Sequence, residues 1–458
     1  MVNKKFLIRA FKFIYPRVSP TYYATRRLIK STEFASEDKL LEMQFRQLRK
    51  ALIHAYDNSP FYRETFTAAG VNPHAMTDIR EIQSYPLLTK DQYRKNVDRI
   101  MSQGAIKPLL IRTHTGGTTG EPLTLFRKLK DSAREKAFLD HVYEMQEMDP
   151  SSKTVYMRGE VFDSKGIYHH IGNMGNVLYL SSNNMTDKNL SHYVELIREF
   201  KPRLFYTIPS VATTFVEYMK RNNIPHFEEL KWIFCPSENL YAAQRNFIED
   251  VLHCRIATFY GHAEHAAQAS LCTKSTMYHV LPQYGYVELV DNEGKIVDEE
   301  GMIGEIVATS FTNNCSHFIR YRTGDYAVYT EKKCGCGHHY KMWERIQGRE
   351  QAIAISKKME KISIGPDLLC TIFDKSFANI KQFKIVQQNV GELIFLVTPH
   401  EGSNIEEVTK YFKGIFDDRY PGGFDIVVQQ PDENVLKRGD KHLYFKQYLD
   451  VEELFKTN

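Results

Sequence analysis

The sequence holds no apolar run approaching the ~20 residues that a membrane-spanning helix needs, so a bilayer span is excluded. The apolar stretch from Phe6 to Tyr15 is broken by Arg9 and Lys12 and lacks a small-residue cleavage site, so no secretory signal is read there. Charge of one sign is not in excess. Sixty basic residues face 56 acidic ones, a net charge of +4 spread over a large chain, which argues against a nucleic-acid partner. Cysteine is scarce and odd in number, seven in all, with two of them a single residue apart. That pattern suits a reducing cytoplasmic setting and metal ligation better than a disulfide framework. There is no internal repeat and no low-complexity linker. No glycine-rich segment closes on Gly-Lys-Ser/Thr, which excludes the usual P-loop.

With 458 residues, the chain is too long for one core, and two or three domains are expected. A hydrophobic share of 42% with 25% charged residues marks it as globular. The stretch that organises the rest is Thr115-Gly116-Gly117-Thr118-Thr119-Gly120-Glu121-Pro122. Three glycines and three threonines in eight residues suit neither a packed helix nor a strand. Threonine hydroxyls and free backbone N–H groups together make a concave donor surface for phosphate oxygens. Pro108 to Thr113 before it reads as a strand and Lys128 to Met148 after it as a helix, the usual setting of a nucleotide phosphate. The competing reading is an ordinary surface turn.

Residues 1–18 mix aromatic and basic types, and a helix there would be amphipathic, either resting weakly on an anionic membrane surface or packed on the body of the protein. Residues 32–100 read as mostly helical, with Phe45, Leu48, Leu52, Ala55 and Tyr56 at helical spacing and a stop at Asn58-Ser59-Pro60. From about 105 to 310 strands and helices alternate, the pattern of a layered α/β domain. One strand ends at Pro236-Ser237-Glu238 and another at Phe259-Tyr260-Gly261-His262-Ala263-Glu264. In open α/β sheets the ligand crevice lies beyond the carboxyl ends of the strands. There the Tyr260 ring suits stacking on a base, and the Glu264 carboxylate suits a magnesium ion bridging phosphates. A capping or surface role is the plainer reading of each glutamate. Residues 284–330 look all-β and end in Tyr321-Arg322-Thr323-Gly324-Asp325, where the aspartate is placed to accept from vicinal ribose hydroxyls or serves only as a turn residue. Cys334-Gly335-Cys336-Gly337 is a tight thiolate pair, and zinc wants four ligands in a tetrahedron. Cys272 and His279 are the best partners by type, with His338 and His339 nearer in sequence. Residues 350–458 read as a small α+β domain: strands Lys384 to Gln388, Leu393 to Val397 and Phe424 to Val428 around a helix from Ile405 to Phe416.

The Gly/Thr loop, Tyr260-Gly261-His262-Ala263-Glu264, Tyr321 to Asp325, Gly348-Arg349 and a late lysine stand in an order that resembles the adenylate-forming enzymes, the acyl- and aryl-CoA synthetase superfamily. Within it the chain is similar to the phenylacetate–coenzyme A ligase family, in its capsular-polysaccharide-biosynthesis branch. The closer markers are Asn58 to Arg63, Pro86 to Lys90, Lys201-Pro202 followed by Pro209-Ser210, and Cys334 to Gly337. The resemblance covers roughly residues 40–450.

It implies a helical region at 1–100 packed on a large domain, an AMP-binding domain at 101–348 with a zinc-bearing β-subdomain, and a small mobile domain at 349–458. It implies that ATP and a carboxylic acid give an acyl-adenylate and pyrophosphate, before transfer to coenzyme A, a carrier thiol or an amine such as an amino sugar. By matching, Thr115, Gly116, Gly117, Thr118, Thr119 and Gly120 would cradle the phosphates, with Thr118 acting in catalysis. Ser237, Glu238, Tyr260 and Gly261 would line the adenine region, Asp325 the ribose, and Arg349 the ribose or phosphate. Glu264 would hold Mg²⁺, and Lys441 would bridge the α-phosphate and the acyl carboxylate. The resemblance also supports Cys272, His279, Cys334 and Cys336 as one structural zinc site. Tyr156, Arg158, Tyr206, Ser210, Cys235, His262 and His265 are candidates for the acyl pocket, where the arginine and the histidines suit a polar or anionic acid.

The family pattern has Ser at Gly117, often Lys at Glu121, and an acidic or lysine residue at Gln351. These departures give a second reading, a nucleotide-binding partner protein that does no chemistry. A zinc-ribbon nucleic-acid binder is a third, which the balanced charge opposes.

Overall fold

The computed structural model describes residues 14–114, 123–159, 169–172, 175–182, 185–291, 293–349, 353–364, 380–399, 403–431 and 445–449, with the single positions 368, 372 and 454. The chain divides into two compact units, one of residues 1–150 with 259–346 and one of residues 151–258 with 347–458.

The first unit opens with helices Pro20–Thr32, Glu37–Asn58 and Pro60–Ala68. Ser59 separates the last two: its extended backbone ends one helix, and its hydroxyl accepts from the Tyr62 amide to start the next, with Pro60 in the first turn. Helix Lys90–Ile100 begins in a Thr89/Gln92 capping box. A hairpin of Ile111–His114 with Thr124–Arg127 flanks residues 115–122, which lie outside the described residues. The expected strand from Pro108 starts only at Ile111. Lys107–Leu109 is a 3₁₀ turn, in keeping with a proline near its start.

Helix Leu129–Met145 follows the hairpin, and then a seven-stranded sheet. Its order is Gly285–Val290, Ile303–Ser310, Tyr321–Thr330, Met342–Arg349, Ser275–Val280, Gln268–Cys272 and Phe259–Gly261. Phe66, Tyr93, Phe318 and Tyr321, all buried, join helices and sheet in one core. Tyr93 and Phe318 stack with ring centres 4.6 Å apart.

The second unit contains a six-stranded sheet in the order His169–Gly172, Val177–Ser181, Thr154–Arg158, Leu204–Tyr206, Trp232–Phe234 and Arg255–Ala257. All pairs are parallel except the first, which is antiparallel. Helices Asp187–Phe200, Pro209–Arg221 and Ala242–Leu252 supply the crossovers, and their apolar faces close a core around Ile197, Phe205, Phe215 and Ile233. One expectation is corrected here. Phe259 to Gly261 does not extend the last parallel strand. The parallel sheet ends at Ala257, and Phe259–Gly261 pairs antiparallel with Gln268–Cys272 in the other sheet.

The second unit also holds a four-stranded sheet, ordered Asp425–Gln429, Glu392–Pro399, Ile380–Gln387 and Phe445–Gln447, with helix Ile405–Arg419 packed on it through Phe395, Phe412 and Phe416. This is the small α+β pattern expected of the C-terminal residues. No described helix is long and apolar enough to cross a membrane.

Candidate active site

In the first unit the Tyr-Gly-His-Ala-Glu segment and the Tyr-Arg-Thr-Gly-Asp segment meet. Glu264 is buried, and both its oxygens are engaged. Tyr321 Oη donates to Oε1 at 2.9 Å, and His262 Nδ1 lies 3.1 Å from Oε2. His262 Nε2 accepts from the Ala267 amide at 3.2 Å, which assigns the imidazole hydrogen to Nδ1 and makes it the donor to Glu264. Burial works to raise the Glu264 pKa, but the contact with His262 and the Tyr321 hydroxyl outweigh it and hold the group at about 2. The result is a buried, ionised carboxylate with its bearing fixed by two neighbours. A carboxylate offers about four lone-pair positions, so these two bonds leave room for a hard divalent cation, and the residue fits Mg²⁺.

Tyr260 Oη donates to Asp325 Oδ2 at 3.0 Å, and its ring meets Trp343 edge-on, with centres 5.6 Å apart. Asp325 lies inside strand Tyr321–Thr330, at a register break opposite Glu305 and Val307 where Gly324 takes φ 71° and its amide donates to Glu305, so it is not the turn residue the sequence suggested. Thr323 Oγ1 accepts from the Asp325 amide and donates to the Ile306 carbonyl, so the bulge that presents the aspartate is tied to the neighbouring strand. Arg320, one residue before Tyr321, sits at φ 43° and is locked by Glu288.

His265 enters a separate hydrogen-bond network. Its ring stands between Arg127, whose Nη1 is 2.5 Å from Nε2, and Glu135, whose Oε2 is 3.4 Å from Nδ1. Burial first, then Arg127, pulls its pKa down to about 4, so it is neutral at physiological pH. Arg127 Nη2 also donates to Thr113 Oγ1 at 2.9 Å, tying together the two strands that flank residues 115–122. Arg127, Glu135 and Tyr321 were not singled out from the sequence. Tyr321 stood inside a recognised motif, and its own signal was the motif. The other two carry none, because only the tertiary fold brings them to His265.

The second unit holds the rest of the described candidates. Glu238 accepts from the Ser210 amide at 3.0 Å and the Ser210 hydroxyl at 3.1 Å, capping helix Pro209–Arg221 and meeting the positive end of its dipole. Ser237 beside it has φ 80°, a conformation uncommon for a residue with a side chain and typical of functional sites. Tyr156 and Tyr206 face each other across adjacent parallel strands and stack at 4.9 Å, with the Arg158 guanidinium 5.8 Å from the Tyr206 ring. Cys235 is fully buried in the core of this sheet, and burial pushes its thiol up. Gly348 takes φ 103° at the end of strand Met342–Arg349. Lys441 and residues 115–120 lie outside the described residues.

Cys272, His279, Cys334 and Cys336 converge, with their ligand atoms all within 4.8 Å of one another. Cys272 Sγ is 3.5 Å from Cys334 Sγ, and Cys336 Sγ is 3.2 Å from His279 Nε2. A tetrahedral zinc ion with ordinary bond lengths sets its sulfurs about 3.8 Å apart and sulfur from nitrogen about 3.6 Å. A register break between Ser270 and Cys272 turns the first cysteine toward the others. Burial lowers His279 to about 4, leaving the neutral imidazole a metal requires, and raises Cys272 to about 12, so a thiol there must lose its proton as a metal binds. The donor set fits zinc.

A model of the AMP-binding enzyme family matches residues 107–311, the span that carries the Gly/Thr loop and Glu264. The chain therefore carries an AMP-binding domain over these residues. Protein CapK of Staphylococcus aureus is 24% identical over 408 residues, with 87% of each chain covered. A phenylacetate–coenzyme A ligase of Pseudomonas putida is 27% identical over 310 residues, covering 66% of this chain and 69% of that one. Among solved structures, a 2-hydroxyisobutyryl-CoA ligase in its postadenylation state matches with a TM-score of 0.69 at 17% identity, over 92% of both chains, a likeness of fold. The chain is an adenylate-forming ligase.

Proposed function

We propose that this ligase activates a carboxylic acid with ATP, releasing pyrophosphate, and passes the acyl group to coenzyme A or to another thiol or an amine, in the biosynthesis of a capsular or surface polysaccharide. The observation that carries the reading is Glu264, a buried carboxylate kept ionised by His262 and Tyr321 inside the matched AMP-binding span. The acid's carboxylate oxygen attacks the α-phosphorus as the bond to pyrophosphate breaks. Charge builds on phosphate oxygens, so the protein's part is positioning and electrostatic stabilisation. Glu264 is the residue to hold Mg²⁺, which when bound neutralises phosphate charge. Asp325, steadied by Tyr260 and Thr323, accepts from the ribose hydroxyls. Ser237 and Glu238 line the adenine region, and Arg349 reaches ribose or phosphate. Thr115 to Gly120 cradle the phosphates, and Lys441, carried by a small domain at 349–458, brings the bridging cation to the α-phosphate. Tyr156, Arg158 and Tyr206 line the acyl pocket, whose guanidinium favours an acid with a second polar group. The capsular assignment is supported by CapK as a relative.

The test is to incubate the protein with ATP, Mg²⁺ and pools of aryl, short-chain, hydroxy and amino acids without an acceptor, and to look for acyl-adenylate by mass spectrometry. An adenylate from any pool, consumed on adding coenzyme A or an amino sugar, supports the reading and names the acceptor. An adenylate that none of these acceptors consumes overturns the transfer step.

A further inference from the structure

Beside the four-ligand cluster stands a second convergence of donors. Glu33 caps the C-terminal end of helix Pro20–Thr32, His141 lies on helix Leu129–Met145, and His338 follows the Cys-Gly-Cys-Gly turn. One ligand atom of each lies within 4.8 Å of the other two. Three segments distant in sequence therefore aim an oxygen and two ring nitrogens at one point. His141 is the decisive member. Its side chain is 1% exposed, and its Nδ1 is buried with no hydrogen-bond partner among the described residues. Glu33 Oε2 stands 3.8 Å from that nitrogen and Glu144 Oε2 3.9 Å, both too long for a hydrogen bond.

A buried ring nitrogen left unpaired is destabilising, so such atoms call for an explanation. Two donors on one tetrahedral zinc, each about 2.0–2.1 Å from it, sit about 3.4 Å apart. The observed separations are within about half an ångström of that spacing. Arg26 and Lys30 pair with the carboxylates of Glu144 and Glu33, balancing their charge. Lys30 occupies one position on each Glu33 oxygen, at 3.2 and 3.1 Å, and a carboxylate has about four such positions, so lone pairs remain for a metal.

We infer that Glu33, His141 and His338 form a second metal site, for a divalent ion of the zinc class, whose remaining position solvent fills. Two imidazoles and a carboxylate make a set suited to zinc. Bound there, the ion staples the helix at Pro20–Thr32 to the helix at Leu129–Met145 and to the turn that carries Cys334 and Cys336. His338 borders both clusters, its Nδ1 lying 3.3 Å from Cys336 Sγ. The variants that separate the two sites therefore avoid it.

The experiment uses the full chain, stripped of metal and titrated with Zn²⁺ alone against a chelating indicator, with metal content measured after dialysis. Two equivalents are expected for the wild type. One is expected for Glu33→Gln, one for His141→Ala, and one for Cys334→Ser with Cys336→Ser. Co²⁺ gives an independent readout: the equivalent lost in Glu33→Gln should carry no thiolate-to-metal charge-transfer band, while the one that remains should. Glu33→Gln keeps shape and most hydrogen bonds, so it serves should His141→Ala fail to fold, as judged by circular dichroism. A single equivalent in the wild type overturns the inference, and so do two equivalents that survive both Glu33→Gln and His141→Ala.

Discussion

Arg320 and Glu288 allow a quantitative test of what holds the Tyr-Arg-Thr-Gly-Asp segment in place. The pair is bidentate, with Nε and Nη2 of the arginine each 3.0 Å from a glutamate oxygen. Both side chains are almost fully buried, 3% and 2% exposed. Nη1 donates to the carbonyls of Gln83 at 2.9 Å and Tyr85 at 2.7 Å, so the guanidinium also pins the segment before helix Lys90–Ile100. Glu288→Ala removes the carboxylate and leaves a buried cation without its counter-charge. Breaking such a pair costs about 3–5 kcal/mol, against at most ~1 kcal/mol for an exposed one. In a unit of this size each kcal/mol lowers the thermal midpoint by roughly 2–4 °C, so a fall of roughly 6–20 °C is expected. Calorimetry of wild type, Glu288→Ala, Arg320→Met and the double variant completes the cycle. A loss below about 1 kcal/mol, or additive single losses, would refute the reasoning, since partners in direct contact couple. Arg320 adjoins Tyr321, the donor to Glu264, so the same variant should lose activity before it unfolds.

Glu264→Gln keeps the shape of the side chain and removes its charge, and adenylation should fall by about 10²–10³-fold with the fold retained; an unchanged rate at saturating Mg²⁺ would remove Glu264 from the site. His317 is buried, hydrogen-bonded to Ser102 Oγ at 2.9 Å, and lowered from 6.5 to about 3, first by burial and then by His54 and Lys128. The unfolded chain therefore takes up a proton that the folded one refuses, and stability is lost as pH falls from 6.5 toward 3. By pH 5 this amounts to about 2 kcal/mol, and urea midpoints at pH 7 and pH 5 should differ less in His317→Asn than in wild type. Cys334→Ser with Cys336→Ser should lose the thiolate-bound metal and lower the thermal midpoint; full metal retention in that variant would exclude the cysteines as ligands.

Much of this architecture was legible in the residues. The antiparallel strands of 285–330 announce themselves through β-branched alternation and a Gly turn, and the helix at Ile405 through its 3.6-residue apolar spacing. Cys272 and His279 could be matched to the Cys-x-Cys pair by ligand chemistry, and their convergence across some 60 residues is met in the fold. What escaped had no local signal. A three-residue strand such as Phe259–Gly261 is too short to show a period, so its transfer to the other sheet was invisible. Tyr321 meets Glu264, and Arg127 meets His265, only because strands far apart in sequence are brought together. The Arg320–Glu288 pair likewise reads as two ordinary surface charges until its burial is seen.

The most direct test of the account is ATP–pyrophosphate exchange in the presence of Mg²⁺ and pooled carboxylic acids, with wild type beside Lys441→Ala. The account predicts acid-dependent exchange by the wild type with at least one pool, and loss of most of it in a folded Lys441→Ala protein. ATP binding by the wild type with no exchange in any pool would contradict the claim that this chain adenylates an acid.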